Sequence, residues 1–171
     1  VGIVGTGRIG MITAKLFQAF GAKVIAYSRT HRPEAEVLGI RYVELDELMR
    51  ESDIVSLHVP NNANTCGMIG RAQIDAMKPT ALLINCARGP IVDAAALADA
   101  LNEGRIAGAG IDVFDCEPPI PADNPLVNAK NALLTPHVAF LSEESMQRRA
   151  EIVFQNLIAY LKGQPQNVCE L

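Results

Sequence analysis

Three glycines near the start of the chain constrain its fold more than any other feature. Gly5, Gly7 and Gly10 lie in the stretch VGIVGTGRIG, where an apolar run precedes the glycines and a segment with helical periodicity follows them. The first glycine of such a loop permits a tight turn, the second admits a pyrophosphate group, and the third lets the helix pack closely on the sheet. Glycines at this spacing also occur in ordinary turns, but the strand–turn–helix context favours a dinucleotide-binding loop.

Short strand-like runs alternate with helical patterns along the rest of the chain. We expect strands at 1–5, 23–28, 53–59, 81–87, 106–114 and 132–137. Helices are expected after the glycine loop, at 45–51, at 94–104 with Asp93 as the N-cap, and at 142–162 with Ser142 as the cap. The alternation predicts an α/β fold, a Rossmann doubly wound parallel sheet flanked by helices, with residues 1–171 forming a single dinucleotide-binding domain.

Composition excludes several classes of protein. The 171 residues carry 15 Lys+Arg and 19 Asp+Glu, a formal charge of −4, which argues against nucleic acid as the main partner. No run approaches the roughly 18 apolar residues that a membrane span needs. The four cysteines show no paired spacing, so the sequence predicts neither a disulfide framework nor a metal site, and we expect a cytoplasmic protein.

The end of the second predicted strand carries information on cofactor choice. NAD-binding folds place an Asp or Glu there, which bonds the ribose 2′-hydroxyl. This chain has Ser28, Arg29 and Thr30 instead, and no carboxylate before Glu34. A guanidinium can pair with a 2′-phosphate and stack on the adenine, and a threonine adds a hydroxyl donor. The pattern favours NADP, with NAD still possible, over the alternative of a solvated basic loop.

Polar residues follow each of the last three predicted strands, namely Arg88, Glu117 and His137. The carboxyl ends of parallel strands share one edge of the sheet, where open α/β folds bind ligands. An arginine can hold a substrate carboxylate, and a histidine oriented by a carboxylate can exchange a proton during hydride transfer. Taken singly, each residue has an ordinary explanation as a surface ion pair, a turn residue or a loop histidine. Together they predict reversible reduction of a 2-oxo acid.

Four motifs, VGIVGTGRIG, NCARGP, AGAGIDVFDCEPP and LTPHVAF, occur in this order and together resemble the D-isomer-specific 2-hydroxyacid dehydrogenase family over essentially the whole chain. The resemblance implies that Arg88 binds the substrate and that Glu117 and His137 form the acid–base dyad. It also implies further cofactor-binding residues beside the glycine loop and the Ser28–Thr30 triplet: Arg8, Ile9, Val59, Pro60, Thr65, Cys86, Ala87, Arg88, Asp112 and His137.

Substrate and assembly are also expectations from this resemblance. The SRT triplet is similar to that of NADP-using glyoxylate reductases, so we expect glyoxylate or hydroxypyruvate as the small 2-oxo acid. A homodimer formed through this domain is expected as well. A dinucleotide-sensing module like the corepressors of the same family is the alternative function. A nucleotide-binding domain of unrelated chemistry would leave Arg88, Glu117 and His137 unexplained.

The start of the chain departs from the family pattern. Family members begin with part of a separate substrate domain, whereas this chain begins at the dinucleotide strand. We therefore expect a cofactor domain whose activity is incomplete without the substrate domain. In the family the last helix returns to that domain, so the apolar face around Val153 and Leu157 is expected to be partly uncovered.

Overall fold

The computed structural model describes residues 1–116 and 119–168. The chain divides between His137 and Val138 into two compact units. Glu117, one of the predicted catalytic residues, lies outside the described residues.

A seven-stranded parallel sheet organises the first unit. Its spatial order is β3-β2-β1-β4-β5-β6-β7, and every neighbouring pair of strands is parallel. The order reverses between β1 and β4, which is the point where an open α/β sheet forms its ligand crevice. The strands are β1 (Gly2–Val4), β2 (Ile25–Tyr27), β3 (Arg41–Tyr42), β4 (Ile54–Leu57), β5 (Leu82–Asn85), β6 (Gly108–Ile111) and β7 (Ala132–Leu134).

Helices connect these strands, as the alternating pattern predicts, and the expected α/β fold is confirmed. They are α1 (Arg8–Ala19), α2 (Pro33–Val37), α3 (Leu45–Glu51), α4 (Arg71–Asp75) and α5 (Ala94–Asn102), with a 3₁₀ turn at Gly89–Ile91. Asp93 caps α5 as expected, because its Oδ1 accepts the N–H of Ala96 at 2.9 Å. Among the described residues, no helix is both long and apolar enough to cross a membrane.

Two apolar clusters form the core of the first unit. The larger one joins α3, α4 and α5 to the central strands through side chains such as Leu48, Leu83 and Leu97. The smaller one joins α1 and α2 to β1 and β2. Burial on both faces explains why the central strands appear in the sequence as continuous apolar runs.

Three details differ from the pattern in the sequence. The short helices α2 and α4 were not among the expected elements. The short strand β3 was not predicted, because its two residues, Arg41 and Tyr42, form no apolar run. Helix α1 occurs where expected, but the apolar stripe whose helical spacing predicts it does not face the core. This stripe consists of Ile9, Ile12, Leu16 and Phe20. Its members are 58 to 88% exposed, whereas Gly10, Met11 and Ala14 form the buried face.

The second unit contains α6 (Glu143–Leu161). The hydroxyl of Ser142 accepts the N–H of Ser145 at 3.2 Å, and the hydroxyl of Ser145 accepts the N–H of Ser142 at 3.0 Å. The backbone amide of Glu144 and the Ser142 side chain lower the pKa of the Glu144 carboxyl, which suits the positive end of the helix dipole. Val153 and Leu157 are each more than half exposed.

Candidate active site

The three glycines of the loop between β1 and α1 have different surroundings. Gly5 has a φ of +97°, and a Cβ there would lie 2.7 Å from the carbonyl oxygen of His58. A Cβ at Gly10 would overlap the carbonyl oxygen of Gly5, so the helix approaches the loop closely. A Cβ at Gly7 would meet no described atom within 4 Å. The loop therefore has a tight turn, an open centre and a packed exit, as a pyrophosphate site requires.

A cleft of about 460 Å³ opens beside this loop, at the carboxyl ends of β1, β2 and β4. Eight of the predicted cofactor residues line it: Gly5, Gly7, Ser28, Arg29, Thr30, Val59, Pro60 and Thr65. Seven further residues line it that the sequence did not single out: Thr6, Tyr27, Arg32, His58, Asn62, Asn64 and Met68. Among the residues that the structure describes, the lining includes two arginines and no carboxylate. Its electrostatics therefore suit an anionic ligand.

The basic loop after β2 forms one wall of the cleft. Arg29 and Thr30 are exposed, and Ser28 is half-buried. Within the described part of the chain, the Arg29 guanidinium has no ion pair or hydrogen bond. The Arg32 guanidinium, in contrast, is engaged, because its Nε donates to the carbonyl oxygen of Thr6 at 2.7 Å. Among the described residues, Arg29 thus retains all of its N–H donors for a ligand, whereas Arg32 has its Nε donor engaged and retains those of its two terminal nitrogens.

The loop after β4 forms the opposite wall and is held by its own side chains. Thr65 Oγ1 donates to the carbonyl oxygen of Pro60 at 2.5 Å and accepts the N–H of Asn62 at 3.0 Å. Asn62 Oδ1 accepts the N–H of Asn64 at 2.9 Å. These local bonds order the loop before any ligand binds.

His58 lies below the glycine loop. Its Nε2 is 2.9 Å from the hydroxyl oxygen of Ser56, and its backbone N–H donates to the carbonyl oxygen of Val4 at 2.7 Å. Burial lowers the pKa of the His58 imidazole, which favours the neutral ring.

A second group of predicted residues lies at the ends of β5, β6 and β7. The buried Asn85 side chain shapes the turn after β5, because its Nδ2 donates to the carbonyl oxygen of Arg88 and its Oδ1 accepts the N–H of Ala87, both at 3.0 Å. Arg88 is exposed, and its Nη1 donates to the Ala87 carbonyl at 2.6 Å. The turn thereby presents the guanidinium at the carboxyl edge of the sheet.

Gly89 joins this turn to the segment after β6. A Cβ at Gly89 would lie 2.5 Å from the amide nitrogen of Asp115, and it would overlap the carbonyl group of Phe114. The two backbones are therefore in direct contact, and only glycine fits between them.

Asp112 and His137 connect the ends of β6 and β7. Asp112 is 2% exposed, its carbonyl oxygen accepts the His137 N–H at 2.8 Å, and its carboxylate accepts the Thr135 hydroxyl. His137 has a φ of 56°, in the left-handed region that non-glycine residues seldom adopt. Residues held in such conformations cluster at functional sites, which makes His137 a candidate for one.

Cys86, Ala87, Arg8 and Ile9 lie outside the cleft lining. Cys86 is an exposed residue, but partial burial of its thiol, with a contribution from the nearby Asp112 carboxylate, raises the pKa of this group, so it is protonated at neutral pH. Arg8 and Ile9 are exposed on the first turn of α1. Within residues 1–116 and 119–168, no three His, Cys, Asp or Glu side chains are grouped as metal ligands would be.

Known proteins provide an independent comparison. Residues 1–139 match the family described as D-isomer specific 2-hydroxyacid dehydrogenase, NAD binding domain. A hydroxypyruvate reductase from Blautia hydrogenotrophica is 45% identical over 168 residues, 98% of this chain and 52% of the relative. A glyoxylate reductase from Thermococcus litoralis is 49% identical over 165 residues, 96% of this chain and 49% of the relative.

Solved structures agree in fold. The D-isomer specific 2-hydroxyacid dehydrogenase from Lactobacillus delbrueckii ssp. bulgaricus, in its NAD complexed form, superposes with a TM-score of 0.89 at 39% identity. The match covers 98% of this chain and 55% of that one. The chain therefore spans about half the length of the relatives that it matches.

Proposed function

The chain belongs to the D-isomer specific 2-hydroxyacid dehydrogenase family, and we propose that it is the cofactor domain of an enzyme that interconverts a D-2-hydroxy acid and a 2-oxo acid with NAD(P). One observation supports this most strongly. The glycine cleft at the ends of β1, β2 and β4 shares a sheet edge with Arg88 after β5 and His137 after β7. The proposed cofactor and substrate groups would then lie along one edge of the same sheet.

The residues of the cleft fit a dinucleotide. The open position at Gly7 leaves room for a pyrophosphate, and the first turn of α1 contains no acidic side chain that would repel it. When bound, the reduced nicotinamide supplies a hydride for the substrate carbonyl carbon. Residues 5–10 would hold the pyrophosphate, and residues 28–30 would hold the adenosine end.

The residues at the ends of β5, β6 and β7 would perform the chemistry on the substrate. Arg88 would bind the substrate carboxylate as a two-pronged donor and polarise the adjacent carbonyl. His137 would donate a proton to the carbonyl oxygen as the carbon receives the hydride, and it would take that proton back in the reverse direction. We assign Glu117 the role of orienting His137 and favouring the imidazolium. Substrate selectivity would belong to the part of the enzyme that lies outside this chain.

Glyoxylate and hydroxypyruvate are the substrates we propose, since the two curated relatives above carry those names. The test is a panel of 2-oxo acids given to the full-length protein with NADPH or NADH, followed by the loss of reduced-cofactor absorbance. We expect Arg88→Ala to lower kcat/KM by about 100-fold, because a charge-assisted pair to the substrate is lost. The control Arg50→Ala, an exposed arginine on α3, should change it less than about twofold. Equal activity of the two variants would refute the role of Arg88.

Cofactor choice has its own test. We propose that the enzyme prefers NADP, because Ser28 replaces the usual carboxylate and Arg29 is available for a phosphate. Ser28→Asp places a negative charge beside the 2′-phosphate, and we expect the ratio of NADPH to NADH affinity to fall by about 10-fold or more. The control is Ser142→Asp, the same substitution in the second unit, which should leave the ratio of NADPH to NADH affinity unchanged. An unchanged ratio in Ser28→Asp would contradict the NADP preference and leave the dehydrogenase proposal standing.

Assembly and location are further proposals. We propose a homodimer in the cytoplasm, without nucleic acid or membrane partners. Cys66, Cys86 and Cys116 are free and exposed, a state that a reducing compartment preserves. Sedimentation of the full-length protein at micromolar concentration tests the dimer, and a monomer at that concentration would contradict it.

A further inference from the structure

The side chain of Tyr42 connects the two loops that border the adenosine end of the cleft. Tyr42 is the last residue of β3 and belongs to none of the motifs described above. Its hydroxyl donates to Thr6 Oγ1 at 2.9 Å and accepts the backbone N–H of Arg32 at 3.0 Å. Thr6 lies between the first two glycines, and Arg32 ends the basic loop after β2.

Thr6 extends this connection. It is 2% exposed, and its hydroxyl donates to the carbonyl oxygen of Thr30 at 3.4 Å. Its carbonyl oxygen accepts Arg32 Nε at 2.7 Å. The hydrogen bonds therefore run in one direction, from the Arg32 amide to the Tyr42 hydroxyl, then to the Thr6 hydroxyl and the Thr30 carbonyl. Each hydroxyl both donates and accepts, so the chain of bonds is fully satisfied.

The aromatic ring of Tyr42 adds a contact to the same loop. The imidazole of His31 stacks on it, with ring centroids 3.9 Å apart and an angle of 5° between the planes. Thr30, His31 and Arg32 are thus all held by Thr6 and Tyr42. Ser28 and Arg29, the residues that precede them, keep side chains without hydrogen bonds among the described residues.

We infer that Tyr42 positions the loop of residues 28–32 for the 2′-phosphate and so determines the choice between NADP and NAD. This inference rests on the proposed NADP-dependent function. A loop that is ordered before binding loses less conformational freedom when it grips a phosphate. NADH presents a 2′-hydroxyl to this loop instead of a phosphate, so it gains less than NADPH from the ordering of the loop.

The variant Tyr42→Phe isolates the hydroxyl, because the ring and its stacking on His31 remain. Calorimetric titration of the full-length protein with NADPH and with NADH measures both dissociation constants. We expect the NADPH constant to rise by about 5- to 20-fold, while the NADH constant changes less than about twofold. The control Tyr160→Phe, an exposed tyrosine on α6, should leave both constants unchanged.

A double-mutant cycle with Thr6→Val tests whether the two hydroxyls act together. Each single variant should weaken NADPH binding, and the double variant should be little weaker than either, because both break one chain of bonds. Equal weakening of NADPH and NADH by Tyr42→Phe would overturn the inference, since it would indicate a merely structural role. If the wild-type protein prefers NADPH and Tyr42→Phe leaves the ratio of the two dissociation constants unchanged, the inference is overturned and the proposed function stands. A wild-type protein without that preference would refute the NADP proposal and this inference together.

Discussion

The contact of Gly89 with the segment after β6 allows a prediction from geometry. In Gly89→Ala, the new Cβ would lie 2.5 Å from the amide nitrogen of Asp115 and would overlap the carbonyl group of Phe114. An ordinary contact requires about 3.5 Å, so the two backbones must separate by roughly 1 Å or more. Neither neighbour is the flexible end of a side chain. The strain must therefore shift the turn that carries Arg88 or the segment that follows Asp112.

The size of the effect follows from that displacement. Overpacking in a filled interior costs about 1–3 kcal/mol of unfolding free energy. A displacement of about 1 Å in a substrate-positioning group costs about 100-fold in rate. We therefore expect Gly89→Ala to lower kcat/KM for the 2-oxo acid by about 100-fold. The glycine cleft lies on other strands, but the shifted turn and segment also carry expected cofactor residues such as Ala87 and Asp112. The dissociation constant for NADPH should therefore rise, by a smaller factor than the fall in kcat/KM.

Urea unfolding, steady-state kinetics and cofactor titration of the full-length protein measure these three quantities. Gly70→Ala is the matched control, because a Cβ there would meet its nearest neighbours at 3.6 and 3.7 Å, an ordinary contact distance. If Gly89→Ala keeps both its stability and its kcat/KM within twofold of the wild type, the contact between the two turns is not as described. Equal losses in both glycine variants would also refute the reasoning.

Three further predictions concern stability. Asp93→Ala should lower the unfolding free energy by about 1 kcal/mol in urea titrations, because α5 loses its N-cap; an unchanged midpoint would argue against the cap. Leu97→Ala removes a fully buried side chain and should cost about 2–5 kcal/mol, and a loss below 1 kcal/mol would place Leu97 outside the core. The fold lowers the pKa of His58, so the folded state binds fewer protons than the unfolded chain and stability should decline as the pH falls below about 6.5. His58→Asn should reduce that decline between pH 7 and about pH 5, and an identical slope would contradict the shift.

Much of the fold could be predicted from the sequence because its signals are local. Strands buried on both faces appear as apolar runs, and Asp93 and Ser142 mark the starts of helices one residue ahead of them. The glycine loop could be assigned for the same reason. Strand β3 could not, since Arg41 and Tyr42 give no periodic signal.

The connections within the candidate site were beyond local patterns. Tyr42 and Thr6 are 36 positions apart, and their contact depends on the register of β2 and β3 with β1. The sequence pattern does not tell which face of α1 lies against the sheet. The small residues Gly10 and Ala14 let the helix approach the sheet closely, so their face is buried and the apolar stripe is exposed. Asn85 is different, because an asparagine that ends a buried strand before a turn is a local signal for side-chain bonds to the backbone.

We propose that this chain supplies both the cofactor cleft and the acid–base group of a D-2-hydroxyacid dehydrogenase. The most direct test is His137→Ala in the full-length protein, with turnover and NADPH binding measured on the same preparation. Loss of a general acid should lower kcat by about 100- to 10,000-fold, while the NADPH dissociation constant stays within about threefold. Turnover close to that of the wild type would contradict the role of His137 as the acid–base group.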